Sequence, residues 1–233
     1  MIELTNITKK YGRKWVLKDI SMHIPKGEMT CLVGRNSVGK TTIMNMIMGL
    51  THPTAGKITI DGEEIHPALY EKISYIPDQM IMVNQMTVGD AIAFMKAFYR
   101  HWNDERASAL LYKFSLHRSD KIRKLSKGAR GKVNMLLGLS IDADYILLDE
   151  PFSGIDPISR EQILDVCMQQ LVEGKGILIT THDLQELEQF ADRAVLIEDG
   201  MIHRAFELED MRATEGKTIL DILREVDSNA QGE

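Results

Sequence analysis

The segment Gly34-Arg35-Asn36-Ser37-Val38-Gly39-Lys40-Thr41 fits the pattern G-x-x-x-x-G-K-[ST], and its flanks narrow what the chain can become. Strand-like Thr30-Cys31-Leu32-Val33 runs into it, and helix-like Thr42-Ile43-Met44-Asn45-Met46-Ile47-Met48 leaves it. Strand, glycine loop and helix in that order make a phosphate cradle. The glycines let successive backbone N–H groups curl around phosphate oxygens, while the helix points the positive end of its dipole at the same anion. The pattern implies a nucleoside triphosphate, with Lys40 neutralising the β- and γ-phosphates and the Thr41 hydroxyl holding Mg²⁺. A glycine-rich turn that merely reverses the chain would also fit eight positions, but it has no need of a strand before it and a helix after it.

With 233 residues the chain has room for one sizeable α/β domain with an inserted subdomain, and not for two comfortable domains. Its hydrophobic fraction of 44% and charged fraction of 27% are ordinary for a soluble globular protein. No apolar run approaches the ~18 residues that a membrane span needs. Met1-Ile2-Glu3-Leu4-Thr5 lacks the basic-then-apolar order of a secretory signal, so a cytosolic chain is expected. Cys31 and Cys167 form no C-x-x-C pair and read as buried, reduced residues. A net charge of −6 argues against nucleic acid as the main partner. The charge is uneven, however: between Lys113 and Lys132 the positives Arg118, Lys121, Arg123, Lys124, Lys127 and Arg130 face the single acid Asp120. That run is either a solvated face or the approach to a second phosphate-contacting element.

From Ile2 to Ile60 short β-like pieces alternate with turns at Pro25-Lys26-Gly27 and Asp61-Gly62, consistent with an antiparallel region around the first core strand. Apolar residues then recur at helical spacing (Ala91, Phe94, Met95, Phe98; Ala107, Leu110, Leu111, Phe114), which predicts a helical insertion at about 79–140. Two all-apolar runs, Tyr145-Ile146-Leu147-Leu148 and Gly176-Ile177-Leu178-Ile179, read as buried parallel strands. The helix between them carries Ile163, Leu164, Cys167 and Leu171, giving a βαβ rhythm. A single domain over 1–210 is expected, followed over 211–233 by a short helix near Ile219-Leu220-Ile222-Leu223 and a polar tail. There is no internal repeat.

The buried run ending in Asp149-Glu150 delivers two carboxylates to the C-terminal edge of a sheet, where open α/β folds place their ligands. Asp149 is suited to orient Mg²⁺, and Glu150 to polarise a water in line with the γ-phosphorus. An acidic turn capping the next helix is the plainer alternative. His182 follows the strand ending at Ile179-Thr180-Thr181 and emerges on the same edge, within reach of a γ-phosphate. A lone histidine elsewhere would read as a packing residue. In Ser153-Gly154-Ile155-Asp156, Asp156 either bonds across an interface or caps the helix after Pro157.

In this order the motifs resemble the ATPase subunits of ATP-binding cassette (ABC) transporters, over roughly Ile2 to Arg204. Tyr11-Gly12 looks like the aromatic loop that stacks on adenine, Gly34 to Thr42 like the Walker A motif, and Leu125-Ser126-Lys127-Gly128-Ala129 like the signature sequence. Tyr145 to Glu150 is similar to the Walker B strand and catalytic glutamate, Ser153 to Asp156 to the D-loop, and Thr181-His182-Asp183 to the switch histidine loop. The resemblance implies a P-loop α/β fold with a mostly parallel core sheet, an N-terminal antiparallel β region and an inserted helical subdomain. ATP and Mg²⁺ are the implied ligands, with Ser126 and Gly128 forming an anion site at a helix start. Two such subunits would face head to tail, each ATP held between the Walker A of one and the signature of the other, and a separate transmembrane permease would place the pair on the inner face of the membrane.

Three departures from the family pattern stand out. Ser37 replaces a common glycine of the loop, Lys127 and Ala129 replace a glycine and a glutamine of the signature, and Asp78 stands where a glutamine is usual, with Gln79 one position later. The metal- or water-sensing role is assigned to Asp78 and Gln79 jointly. Among the residues of the helical insertion, Phe94 and Met95 read as core, and Met80, Met82 and Met86 as the lining of a groove for a helix of the membrane subunit. The compact chain, the Lys127/Ala129 signature and Phe98-Tyr99-Arg100-His101-Trp102 look like small exporter ATPases of the ABC-2 kind, including those that move or resist antimicrobial peptides. Soluble ABC-type ATPases of DNA repair, translation or cluster assembly fit less well, because the chain has neither a long coiled-coil insertion nor a second cassette.

Overall fold

A computed structural model describes residues 1–80, 82–181 and 190–215. The chain begins with β1 (Ile2–Tyr11), β2 (Lys14–Ile24), β3 (Met29–Val33), α1 (Lys40–Ile47), β4 (Ala55–Ile60) and β5 (Glu63–Glu64). After a 3-10 turn come β6 (Ile73–Ile76), α2 (Val88–Phe98), α3 (Asp104–Lys113), α4 (Lys127–Leu139) and β7 (Tyr145–Asp149). The chain continues through α5 (Pro157–Val172), β8 (Gly176–Thr181), β9 (Arg193–Glu198), β10 (Met201–Glu207) and α6 (Leu208–Glu215).

Two sheets organise the described residues. One has the order β2-β1-β4-β5 and is antiparallel; the other has the order β10-β9-β3-β8-β7-β6 and is parallel except for β10. In β2 the buried residues Leu17, Ile20, Met22 and Ile24 alternate with exposed ones, as a strand covered on one face requires. In β3, β7 and β8 every residue is buried, because helices cover one face of the parallel sheet and the antiparallel sheet lies over the other. Two cores result. Ile2, Ile20, Met44, Leu147 and Leu178 belong to the core between the sheets, and Met29, Val133, Ile146, Ile163 and Ile179 belong to the core under the helices.

This α/β architecture matches the expected fold class. The strand register pairs Val33 with Thr181 and Asp149 with Thr180, so β3, β7 and β8 end side by side. Cys31 and Cys167 are buried thiols, and burial pushes both up to about 12. No helix among the described residues is long and apolar enough to cross a membrane.

Two expectations for the helical insertion are corrected. Phe94 is not core: it is 43% exposed and its ring centroid lies 4.6 Å from that of Phe98, which is 71% exposed. Met82 is core, packed with Val88, Ile92 and Met95, while Met80 and Met86 are half-buried against the same cluster. The reason is helical phase, since Ala91, Ile92 and Met95 of α2 turn inward and leave Phe94 and Phe98 on the outer face. The helix expected near Ile219 lies outside the described residues.

Candidate functional site

Gly39 caps α1 with φ of 121°, and a Cβ there would lie 2.5 Å from Leu17 Cδ2. A Cβ at Gly34 would press into the carbonyl oxygen of Ile197. Both glycines are therefore demanded by close approach as well as by loop curvature. Ser37 has φ of 66°, a left-handed conformation that glycine adopts without cost. The family preference for glycine noted above thus has a backbone cause, and the serine carries the strain. No acidic side chain lies in the first turn of α1 and no side chain caps it among the described residues, so its positive end faces the loop.

Lys40, the first residue of α1, is buried, with its Nζ donating to the carbonyl oxygens of Gly34 (2.6 Å) and Arg35 (3.3 Å). The same ammonium lies 3.2 Å from Glu150 Oε1. Arg35, Asn36, Ser37 and Thr41 are exposed at the rim, and Val38 and Thr42 are half-buried. Beside the loop lies a cavity of about 560 Å³, lined by Gly34 to Val38, Trp15, Val16 and the Glu198-Asp199-Gly200 turn. Tyr11 is not among its lining residues: its half-exposed ring lies at the end of β1 with Lys9 Nζ 4.6 Å from the centroid. The aromatic ring that lines the cavity is Trp15, on the neighbouring strand, with Lys10 Nζ 4.7 Å from its centroid.

The carboxylates are set by the end of β7. Asp149 is buried, and its Oδ1 accepts from Thr180 Oγ1 at 2.6 Å while Oδ2 accepts from Tyr75 Oη at 3.4 Å. Thr180 Oγ1 also accepts from the Glu150 N–H at 3.0 Å, and the Thr180 carbonyl oxygen takes the same N–H at 3.2 Å. Glu150 has φ of 47°, a left-handed conformation at a non-glycine residue. Burial and the Asp149 carboxylate push the Tyr75 hydroxyl up, so it remains a donor.

A second cavity, of about 390 Å³, lies between this strand end and α4, lined by Asp78, Gln79, Lys127, Arg130, Glu150 and Ser153 among others. Burial raises the carboxyl of Asp78, Asp149 and Glu150 add to the rise, and Lys127 opposes it. Asp78 and Gln79 both line this cavity, so the structure brings the pair as a whole to Glu150. Ser126 caps α4, its Oγ accepting from the Ala129 N–H at 3.2 Å, so the helix starts where expected. Neither Ser126 nor Gly128 lines the cavity beside Gly34–Val38. Asp156 does cap α5, its Oδ1 accepting from the Ser159 N–H at 3.0 Å. His182 lies outside the described residues.

Lys40, Asp149 and Glu150 thus meet at one sheet edge. Tyr75 and Thr180 join them, and Trp15 lines the cavity beside the loop, none of the three having been anticipated. Thr180 was legible only as part of a strand end, and Trp15 stands four residues beyond the tyrosine that drew attention. The arrangement places a cation and helix start opposite a carboxylate pair, which is suited to holding a phosphate chain and polarising a water beside it.

Residues 17–153 match the family model described as ABC transporter. The chain belongs to this family. The ABC transporter ATP-binding protein YtrB of Bacillus subtilis (strain 168) is 32% identical over 215 residues, covering 91% of this chain and 74% of that protein. The lipopolysaccharide export system ATP-binding protein LptB of Haemophilus influenzae is 33% identical, over 84% of this chain and 86% of its own. The carnitine transport ATP-binding protein OpuCA of Listeria monocytogenes is 34% identical, over 87% of this chain and 54% of its own. Among solved structures, an ATP-binding subunit of an ABC transporter superposes with a TM-score of 0.89 at 27% identity, over 97% of this chain and 99% of that one. A dimeric post-hydrolysis state of the ATP-binding cassette MJ0796, bound to ADP and Pi, superposes with a TM-score of 0.79 at 26% identity, over 89% of this chain and 99% of that one. This chain is accordingly an ABC transporter ATP-binding subunit and an ATPase.

Proposed function

We propose that this ABC subunit holds ATP on the Gly34–Thr42 loop, hydrolyses it with Glu150, and uses ATP-driven pairing with a second ATPase subunit to drive a separate membrane permease. The observation that carries this reading is the convergence of buried Lys40 and Asp149 with half-buried Glu150 at the start of α1 and the end of β7. Lys40 neutralises phosphate charge, the N–H groups of the loop and α1 donate to the phosphate oxygens, and Glu150 takes a proton from the attacking water. His182 completes this set on the γ-phosphate side.

The residues present fit Mg²⁺ as well as ATP. Asp149 is a buried carboxylate fixed by two hydroxyl donors, and Mg²⁺ bound together with a phosphate ligand would need few protein ligands. Asp149 and Thr41 would hold it, with Asp78 and Gln79 on the water side, and the ion supplies charge neutralisation at the phosphates. For the base we assign Trp15 beside Tyr11, because Trp15 lines the cavity that the loop also lines.

Ser126 and Gly128 start α4 away from that cavity, which favours their use toward the nucleotide of a facing subunit, whether a second copy or a paralogue. MJ0796, similar in fold, is a dimer in its ADP-and-Pi state. The helical segment at about 79–140 is proposed to meet the permease through Phe94 and Phe98, which would hold the chain at the cytoplasmic face of the membrane. Export, including export of antimicrobial or other peptides, rests on the resemblance of the 98–102 stretch and of the Lys127/Ala129 signature. Relatives of like identity are named for lipopolysaccharide export and for carnitine transport, and do not favour a direction.

Glu150→Gln tests the reading. The variant should lose hydrolysis by at least about a hundredfold and accumulate as an ATP-bound dimer on sizing chromatography in the presence of Mg²⁺. A variant that hydrolyses at the wild-type rate would sink the assignment of Glu150, and a strict monomer with ATP and permease present would sink the shared site.

A further inference from the structure

Lysine is an unfavourable residue for the first turn of a helix, where the dipole presents positive charge, yet Lys127 opens α4. Its side chain turns back from the helix onto the loop that follows Glu150. Lys127 Nζ donates to Ser153 Oγ at 3.2 Å. Its stem fills the space beside Gly154, where a Cβ would lie 3.0 Å from Lys127 Cδ and Nζ and 3.1 Å from Cε. Gly154 has φ of 72°, so the residue that leaves room for the lysine is also one that the backbone asks to be glycine. Two further positions of α4 continue the seat. A Cβ at Gly128 would lie 3.6 Å from the Gly154 carbonyl oxygen, and one at Gly131 would lie 2.9 Å from Ile155 Cδ1. The loop 153–155 therefore rests on a glycine-flattened face of α4, with Lys127 folded over its edge.

The loop leads directly to Glu150. The Ser153 N–H donates to the Glu150 carbonyl oxygen at 3.1 Å, and the Glu150 N–H is held on its other side by the carbonyl and hydroxyl oxygens of Thr180. A left-handed glutamate is costly to hold and persists only where its surroundings fix it. Here it is fixed from β8 on one side and, through Ser153, from α4 on the other. Lys127 also faces the carboxylates of Asp78 and Glu150 across the smaller cavity, where its charge offsets their mutual repulsion.

We propose that Lys127 is a positioning residue for Glu150, acting through Ser153 and Gly154 to tie the start of α4 to the carboxylate within the same subunit. The proposal deepens the hydrolysis reading and rests on it.

The test is steady-state ATP hydrolysis by the full chain, comparing wild type with K127M, K127R, S153A and K127M/S153A, each checked for folding by circular dichroism. K127M should lower kcat roughly tenfold, since small displacements of a catalytic group cost at least that much, with KM for ATP within about twofold of wild type. K127R should recover most of kcat, because a guanidinium reaches the same hydroxyl and keeps the charge. S153A should lower kcat in the same sense, and the double variant should fall no further than the worse single variant, as for two ends of one contact. A K127M enzyme with wild-type kcat overturns the proposal. So does a raised KM at unchanged kcat, which would place Lys127 on the nucleotide, and so do strictly additive losses in the double variant. Failure of the hydrolysis reading itself would look different, as a Glu150→Gln variant that hydrolyses normally.

Discussion

At the residue scale, two non-glycine residues held in left-handed backbone, Ser37 and Glu150, mark the two sides of the site. Ser37 is exposed, so its side chain is tolerated and only its φ is costly. A β-branched residue is worse there, and Ser37→Val should lower stability by about 1–2 kcal/mol, read from urea unfolding, whereas Ser37→Gly should not. The Thr180 hydroxyl is buried and satisfied twice, donating to Asp149 and accepting from the Glu150 N–H. Thr180→Val keeps the shape and leaves Asp149 Oδ1 without that donor, so roughly 1–3 kcal/mol of stability should be lost together with hydrolysis. A variant as stable and active as wild type would remove Thr180 from the site. Asp78 has its carboxyl raised, first by burial and then by its acidic neighbours. A raised carboxyl opposes folding once it ionises, so Asp78→Asn should raise the thermal midpoint at neutral pH. The gain should vanish below the ordinary carboxylate range, where both states of the wild type are protonated.

At the element scale, Asp61, in the turn between β4 and β5, ties the antiparallel sheet to the parallel one. Its Oδ1 accepts from the Met1 amino group (2.8 Å) and from Tyr145 Oη (2.6 Å), and its Oδ2 from Lys72 (3.2 Å). Burial pushes this carboxyl up, but the donors win and hold it far below the usual range. With the folded value depressed, its contribution is complete above about pH 4, the unfolded value, and is lost as the pH falls below that. Asp61→Asn should therefore be destabilising by roughly 2 kcal/mol at pH 7, and the difference should close in acid. Equal stabilities at neutral pH would dismiss the tie.

The strands that build the site were legible because burial on both faces leaves uninterrupted apolar runs, as in Tyr145–Leu148 and Gly176–Ile179. Strand β10 was not: Met201 to Glu207 lies on the sheet edge with no residue fully buried, and is held by pairing with β9 rather than by an apolar face. The phosphate loop and the Asp149-Glu150 pair were legible as local patterns. Thr180 and Trp15 became visible only through register and a shared cavity, which join residues far apart in sequence, and Phe94 was misplaced because helical spacing gives a stripe without saying which way it faces.

At the scale of the whole molecule, the two cores leave several apolar side chains facing outward among the described residues, and on α2 two of them, Phe94 and Phe98, lie with their rings in contact. Exposed aromatic rings in contact are poor solvent-facing choices, whereas burying a phenylalanine side chain contributes about 1.5–3 kcal/mol, or roughly 10- to 100-fold in affinity. If this pair is the handle on the permease, its loss should separate coupling from chemistry. Phe98→Asp should leave hydrolysis by the isolated chain within about twofold of wild type, since the residue lines neither cavity. Retention of the permease in detergent pull-down should fall by at least about tenfold. Leu50→Asp supplies the comparison, because Leu50 is 68% exposed but follows α1, far along the chain from α2. Equal loss with both variants would indicate a general effect of surface charge, and undiminished capture with Phe98→Asp would move the permease contact off α2. Hydrolysis lost with Phe98→Asp would instead show that α2 shapes the site at the sheet edge, through its packing on α4.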